Sequence, residues 1–323
     1  MQESKRAPAL RVTHFTRRYG TAVAALAIVA VFSVLSPDAF FSVENALNIT
    51  RQISFLVIIA IAATFVMVVG EFDLSVGALA SLGGVVAAQL AVAGMPVAAC
   101  FAAAAAAGVV TGVVNGWLIT RFGLLSFITT LAMGTVLGGL VFWMTGGSTV
   151  FENIPDAFSA LGRAAVLGVP ALSLVMLAVA VLAWFVLTHT PFGRRLYAVG
   201  GNRAAARVAG ISVGTHTVAA FAVSGLLAAF TGALLASRLG SAQPTGGNGL
   251  FLPAYAAAFL GMTAFKDGVP NVPGTVLGAL IIGVLANGLT ILQIPTFLQD
   301  VITGLIVILA VIVQRLGAGR GER

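Results

Sequence analysis

The residues with chemistry to offer are few and widely spaced. Glu71 and Asp73 stand two apart in Val69-Gly70-Glu71-Phe72-Asp73-Leu74-Ser75-Val76-Gly77, an acidic interruption between apolar runs. Carboxylates at that spacing and place fit a structural cap better than acid–base work. Asp73 is placed to accept free N–H groups of the helix that follows and to sit at its positive dipole end, with Ser75 as a second acceptor. The glycines Gly70 and Gly77 frame this motif. His14, His189 and His216 have no metal-ligand spacing to one another, and the single cysteine, Cys100, offers neither a disulfide nor a thiolate cluster. No Ser/His/Asp set, H-E-x-x-H or G-x-x-x-x-G-K-[ST] phosphate loop is present. A membrane-embedded enzyme therefore lacks an ionisable constellation here, and any ATP hydrolysis has to come from another chain.

The densest charge lies at 188–214, where Arg194, Arg195, Arg203 and Arg207 occur with no acid among them. Gly200-Gly201-Asn202 can turn the chain there. The Asn202 side chain can then cap a short helix over Ala204-Ala205-Ala206-Arg207-Val208, which Gly210 ends.

The elements that carry these residues are set by composition. The chain is 59% hydrophobic and 8% charged, with a mean hydropathy of +1.06. A soluble domain has roughly a quarter of its residues charged, so the solvent of this chain is lipid. Apolar runs of about 20 residues, not alternating segments of about 10, mean helices rather than barrel strands. The expected fold is an all-α, polytopic helical membrane protein of about ten spans, near 19–36, 52–70, 74–93, 96–119, 124–144, 166–187, 215–238, 250–265, 273–293 and 297–315. The first of these exceeds a signal-peptide core and lacks a convincing cleavage site, which makes it a retained anchor.

The net charge of +7 follows the positive-inside rule and needs no nucleic acid. Lys5, Arg6, Arg11, Arg17 and Arg18 precede the first span, four arginines follow the sixth, and Arg315, Arg320 and Arg323 follow the tenth. Six and then four spans put all three clusters on one side, the cytoplasm, with both termini. Asp38, Glu44, Glu152 and Asp156 fall in outside loops. The expected organisation is a cytoplasmic tail at 1–18, one permease domain at 19–315 with the loop at 188–214, and a second tail at 316–323.

Small residues repeat every four positions at Gly108, Gly112 and Gly116, at Gly134 and Gly138, and at Ala228, Gly232 and Ala236. Between helices in lipid, close approach across small residues supplies the packing. Asn115 and Asn287 lie deep in spans and each precedes a glycine, five spans apart and so oppositely oriented. Both fit interhelical hydrogen bonding or a lined path, and the pairing hints at an inverted-topology repeat.

Gly70-Glu71-Phe72-Asp73-Leu74-Ser75-Val76-Gly77 resembles the G-G-x-D-L-S-V-G segment of ribose/xylose/arabinose-type ABC importer permeases. Pro191-Phe192-Gly193-Arg194-Arg195-Leu196-Tyr197-Ala198-Val199-Gly200-Gly201-Asn202 resembles their F-G-R-x-x-Y-A-x-G-x-N loop, and Ala204-Ala205 with Ala209-Gly210-Ile211 continues the match. Gly274-Thr275 to Gly278 and Asn287-Gly288-Leu289 also look like the family. Two departures stand out. Glu71 replaces a glycine, and Gly261-Met262-Thr263-Ala264-Phe265-Lys266-Asp267-Gly268 replaces G-G-T-S-x-x-G-G.

The resemblance implies a permease core in a bacterial inner membrane, paired with a second copy or a sister permease. That core would lie between cytoplasmic ATPase subunits, which hold the ATP and Mg, and a periplasmic sugar-binding protein. No cofactor or metal is implied in this chain. The loop that engages the ATPase would carry Phe192, Gly193, Arg194, Tyr197, Gly200, Gly201, Asn202, Ala205 and Gly210. Candidates for the path are Asn115, Asn287, Gln243 and Asn248, with Phe127, Trp143, Phe151 and Tyr255. The competing class is an ion-coupled secondary carrier for a small polar solute. Such a carrier calls for buried acids, whereas the acids here stand at apparent span edges.

Overall fold

The computed structural model describes residues 26–264 and 268–318. Among these, the helices are α1 (Leu26–Leu35), α2 (Pro37–Phe40), α3 (Val43–Val68), α4 (Val76–Val92), α5 (Val97–Phe122), α6 (Ser126–Thr145), α7 (Asp156–Arg163), α8 (Ala171–His189), α9 (Pro191–Gly201), α10 (Arg203–Val208), α11 (Val213–Leu239), α12 (Asn248–Ala264), α13 (Val272–Ile291) and α14 (Thr296–Ala318). A two-residue hairpin, β1 (Ala165–Val166) against β2 (Val169–Pro170), interrupts the helical pattern between α7 and α8. Six helices (α3, α5, α6, α8, α11 and α13) are long and apolar enough to cross a membrane, and α1, α4, α12 and α14 contribute shorter apolar stretches. The chain is an all-α polytopic membrane protein.

Each of the ten expected apolar segments carries one of these helices, with shifted ends. α3 begins at Val43, well before residue 52, because Ser42 caps it by accepting the Asn45 N–H at 3.0 Å. The loop at 188–214 contains a second helix, α9, ahead of the expected short one, and Gly200 and Gly201 form its last turn. Thr190 accepts the Gly193 N–H and Pro191 occupies the first turn, a start signal stronger than the glycines' low propensity. Residues 1–18, the start of the first apolar segment, Phe265-Lys266-Asp267, and Arg320 and Arg323 of the second tail lie outside the described residues.

α3 is the central post. From Ile53 to Val68 its side chains are buried throughout, as expected for a helix that is apolar all round. α11 packs against α3, α4 and α5; α12 packs against α3, α13 and α14. The α5–α11 contact is backbone on backbone. A Cβ at Gly108 would lie 2.1 Å from the Gly225 carbonyl oxygen, and one at Gly112 2.1 Å from that of Phe221. Gly232 and Ala236 of α11 lie against Ala80 and Gly84 of α4, as the four-residue repeat predicts, and Ala229 meets Gly83. The Gly134/Gly138 repeat on α6 behaves differently. A Cβ at Gly134 would meet Ser75 and Ala78 only at 3.8–4.0 Å, and one at Gly138 would meet nothing within 4 Å, so among the described residues no helix approaches this stripe backbone to backbone. α6 and α8 instead expose large apolar side chains, among them Phe127, Leu131, Trp143, Leu182 and Phe185.

Two segments break the helical order in the interior. Residues 69–75 separate α3 from α4, and residues 240–247 separate α11 from α12. Gly240, at φ +66°, ends α11 in the left-handed region that costs glycine least. The helices that follow the breaks each have 17 residues. Their first turns meet: a Cβ on Gly247 would lie 2.3 Å from the Gly77 carbonyl oxygen, and the Gly247 N–H donates to Ser81 Oγ at 3.0 Å.

Candidate functional site

Inside an apolar bundle, a non-helical stretch must find partners for its free backbone groups. The break at 69–75 takes backbone partners from α6 and α12, and its side chains are bonded to α5 and α11. Phe72 N donates to Ser126 Oγ of α6 at 3.3 Å, and Leu74 N donates to Thr130 Oγ1 at 2.9 Å. Asp73 N donates to Tyr255 Oη of α12 at 2.8 Å, and the same hydroxyl donates back to the Asp73 carbonyl at 3.0 Å. The Asp73 carboxylate is fully buried. One oxygen accepts from Ser75 N at 3.0 Å and from the Ser75 hydroxyl; the other accepts from Ser224 Oγ of α11 at 3.0 Å. Asn115 of α5 completes the cluster by donating to Ser75 Oγ at 3.1 Å, while its own buried carbonyl oxygen has no protein partner.

This geometry corrects two expectations. Asp73 is not the N-cap of α4. Ser75 holds that position without a side-chain cap bond, because residues 73–75 make a tight turn in which Asp73 bonds two residues ahead. Nor does the acid stand at a span edge: it lies inside the bundle, with its lone pairs committed to hydroxyl and amide donors. A carboxylate so engaged pins the break to α11.

The second cluster is the α9–α10 element, at the end of the bundle where α3 and α5 finish. Gly200 lies directly on the end of α3, where a Cβ would come within 1.9 Å of the Val68 carbonyl oxygen. Asn202 caps α10 by accepting the Ala205 N–H at 3.0 Å, and Gly210 follows the helix at φ +76°. Arg203 pairs with Glu71 and also donates to the Val69 carbonyl at 3.3 Å. The Tyr197 hydroxyl donates to the Pro270 carbonyl at 2.8 Å, and burial pushes its pKa up to about 12; it therefore stays a protonated donor at any physiological pH. Phe192 stacks on His216 with 6.1 Å between ring centroids. Gly193 is buried against the end of α8, whereas Arg194, Gly201, Ala204, Ala205 and Val208 are exposed. The outward face of α10 thus combines the small Ala204 and Ala205 with Val208, 92% exposed, and the exposed Arg207.

Asn287 lies far from both clusters. It exchanges amide hydrogen bonds with Asn45 of α3 at 2.9 and 3.2 Å, which makes it an interhelical pin. Gln243 and Asn248 are exposed on and beside the second break. Gln243 also lines a cavity of about 70 Å3 with Ser81, Gly84 and Gly247. Phe127, Trp143 and Phe151 are exposed and Tyr255 is buried on Asp73. A cavity of about 200 Å3 between α3, α12, α13 and α14 carries Gln52, Gln299, Asp300 and Thr303. Replacing Asn45 or Asn287 singly with leucine is expected to lower stability by about 1–3 kcal/mol, since the other amide loses its side-chain partner. The double leucine variant is expected to lose less than the two singles summed, keeping only the cost of the Asn45 bond to the Phe40 carbonyl. Thermal unfolding in detergent reads both.

The family described as "Branched-chain amino acid transport system / permease component" matches residues 45–311, which take in both breaks and the α9–α10 element. The chain belongs to this permease family. Among the curated relatives of this permease, the ribose import permease protein RbsC of Haemophilus influenzae is 39% identical over 293 residues, covering 90% of each chain. The D-allose transport system permease protein AlsC of Escherichia coli is 37% identical over 303 residues, 94% of this chain and 93% of that one. The xylose transport system permease protein XylH of Escherichia coli is 32% identical, covering 89% of each. No solved structure matches.

Reasoning from sequence missed the partners of the permease's first break. Ser126, Thr130 and Ser224 carried a weak signal, being hydroxyls inside apolar helices. The Arg203–Glu71 pair carried none, because 132 residues separate its partners.

Proposed function

We propose that this chain is the membrane-spanning subunit of an ATP-driven importer for a monosaccharide, a pentose, hexose or related polyol, delivered by a periplasmic binding protein. The observation that carries this reading is the near end-to-end identity with ribose import permeases, 39% over 90% of both lengths. A cytoplasmic ATPase subunit, holding ATP and Mg, would supply the energy. The membrane would be the bacterial inner membrane.

All ten apolar helices would cross, with both termini cytoplasmic. In support, successive apolar helices alternate in direction and the arginine-bearing α9–α10 element projects from the end that this topology places inside. An inverted repeat would relate α3, α4, α5 and α6 to α11, α12, α13 and α14. Each half has a long helix, a break and a 17-residue helix. Neighbours also correspond: α4 on α11 mirrors α12 on α3, and α4 on α6 mirrors α12 on α14. Asn115 and Asn287 fall on the matching helices α5 and α13. Paired broken helices that start at mid-membrane are the usual frame of an alternating-access path. The exposed apolar sides of α6 and α8 leave room for lipid and for a second permease copy or a sister chain.

The α9–α10 element would dock into the ATPase through Gly201, Ala205 and the exposed Val208. Gly201→Trp and Ala205→Trp are expected to leave the permease in the membrane and to reduce uptake by about tenfold or more, the scale of an overfilled contact. The test is reconstitution with the ATPase subunit and the binding protein. Uptake is expected to need ATP and binding protein and to be blocked by vanadate. Uptake driven by a proton or sodium gradient without the ATPase overturns the reading.

A further inference from the structure

Between the face of α10 and the buried Asp73 cluster lies one charged link. Among the described residues, Arg203 of α10 forms an ion pair with Glu71 and donates a side-chain hydrogen bond to the Val69 carbonyl of the break. Its guanidinium does two things at once. It caps the C-terminal end of α3 through the Val69 carbonyl, where a cation is favoured by the helix dipole, and it holds the Glu71 carboxylate. A planar fork can serve both acceptors where an ammonium serves one point.

Glu71 is two residues from Asp73, and the intervening chain is not slack. Phe72, Asp73, Leu74 and Ser75 are tied to α6, α12, α6 and α5, and the Asp73 carboxylate to α11. A displacement of α10 that carries Arg203 therefore reaches helices of both halves within a few bonds. At the other end of the same element, Tyr197 holds the Pro270 carbonyl just ahead of α13, so α9 and α10 grip the two halves together. The rest of α10 lacks such a hold: Ala204, Ala205, Arg207 and Val208 face outward, and Ala206 packs inward through a methyl group alone.

We infer that the Arg203–Glu71 pair is the positioning link through which movement of the α9–α10 element is passed to the helix break at Asp73, so that losing it separates ATP hydrolysis from transport. This rests on the docking role proposed for α10. A static clamp would hold the loop and affect stability only; a transmitting link affects the ratio of sugar moved to ATP consumed.

The experiment measures uptake and ATP hydrolysis together in proteoliposomes containing permease, ATPase subunit and binding protein. Glu71→Gln and Arg203→Gln are expected to lower transport per ATP by about tenfold, the scale of one charged hydrogen bond lost. The charge-exchanged variant E71R/R203E is expected to recover to within about threefold of the parent, as a coupled pair does in a double-mutant cycle. Should the glutamine variants fail to reach the membrane, Arg203→Lys, which keeps the charge but not the fork, is expected to lower the same ratio. Single variants that melt earlier but keep the parental ratio overturn the inference, as does an exchanged pair no better than its singles. If the parent itself shows no ATPase-dependent uptake, the docking role fails, and the link fails with it.

Discussion

Gly232→Leu is expected to leave little folded permease in the membrane. A Cβ at this position would stand 1.7 Å from the Ala80 carbonyl oxygen, far inside contact distance. What it meets is helix backbone, which cannot rotate aside as a side chain can. The neighbouring approach, a Cβ at Gly83 2.1 Å from the Ala229 carbonyl oxygen, is equally close, so α4 and α11 would have to separate along their length. Overpacking of a relaxed core costs about 1–3 kcal/mol. A backbone contact without slack belongs at or above the top of that range, and in lipid no hydrophobic drive re-closes the helices. Membrane level and melting temperature in detergent measure the effect. Gly138→Leu is the control: its site opens into space within this chain, and it is expected to melt like the parent.

The second large effect is expected from Asp73→Ala. The carboxylate accepts from Ser75 N, Ser75 Oγ and Ser224 Oγ, and its removal leaves these donors buried without an acceptor. Hydrogen bonds to a charged group contribute about 1.5–3 kcal/mol each, and their effects are not additive within one cluster. A combined loss of about 3–5 kcal/mol is expected, enough to open the turn between α3 and α4. Ser224→Ala, which removes a single donor, is expected to cost about 1 kcal/mol, and Tyr255→Phe, which frees Asp73 N and O together, more than that. Unfolding of the purified variants in detergent orders the three. Equal stability of Asp73→Ala and the parent would show that the cluster does not hold the break.

Apolar helices were legible because lipid imposes a length and a composition on any segment that crosses it. The positions of ten helices, the small-residue faces of α5 and α11 and the Asn202 cap all follow from patterns that lie within one turn or one span. Gly138 shows the limit of such patterns. A four-residue glycine repeat states that a close approach is permitted, not that this chain supplies the partner. Asp73 shows another limit. An acid ahead of a helix reads as its cap, yet Ser75 adopts helical angles (φ −83°, ψ −7°) and takes the cap position itself, which leaves the carboxylate to other helices.

The chain alone therefore established the class of protein, the places of its apolar helices and a resemblance that led to its family, since each depends on local residue order and on the solvent the composition demands. The meeting of α4 and α12 at Gly77 and Gly247, the burial of Asp73 among Ser75, Ser224 and Tyr255, and the bond from Arg203 to Glu71 came only from the folded molecule. Each joins residues far apart in sequence through a side chain or a backbone oxygen whose direction is fixed when the helices pack, and no periodicity along one segment records that direction.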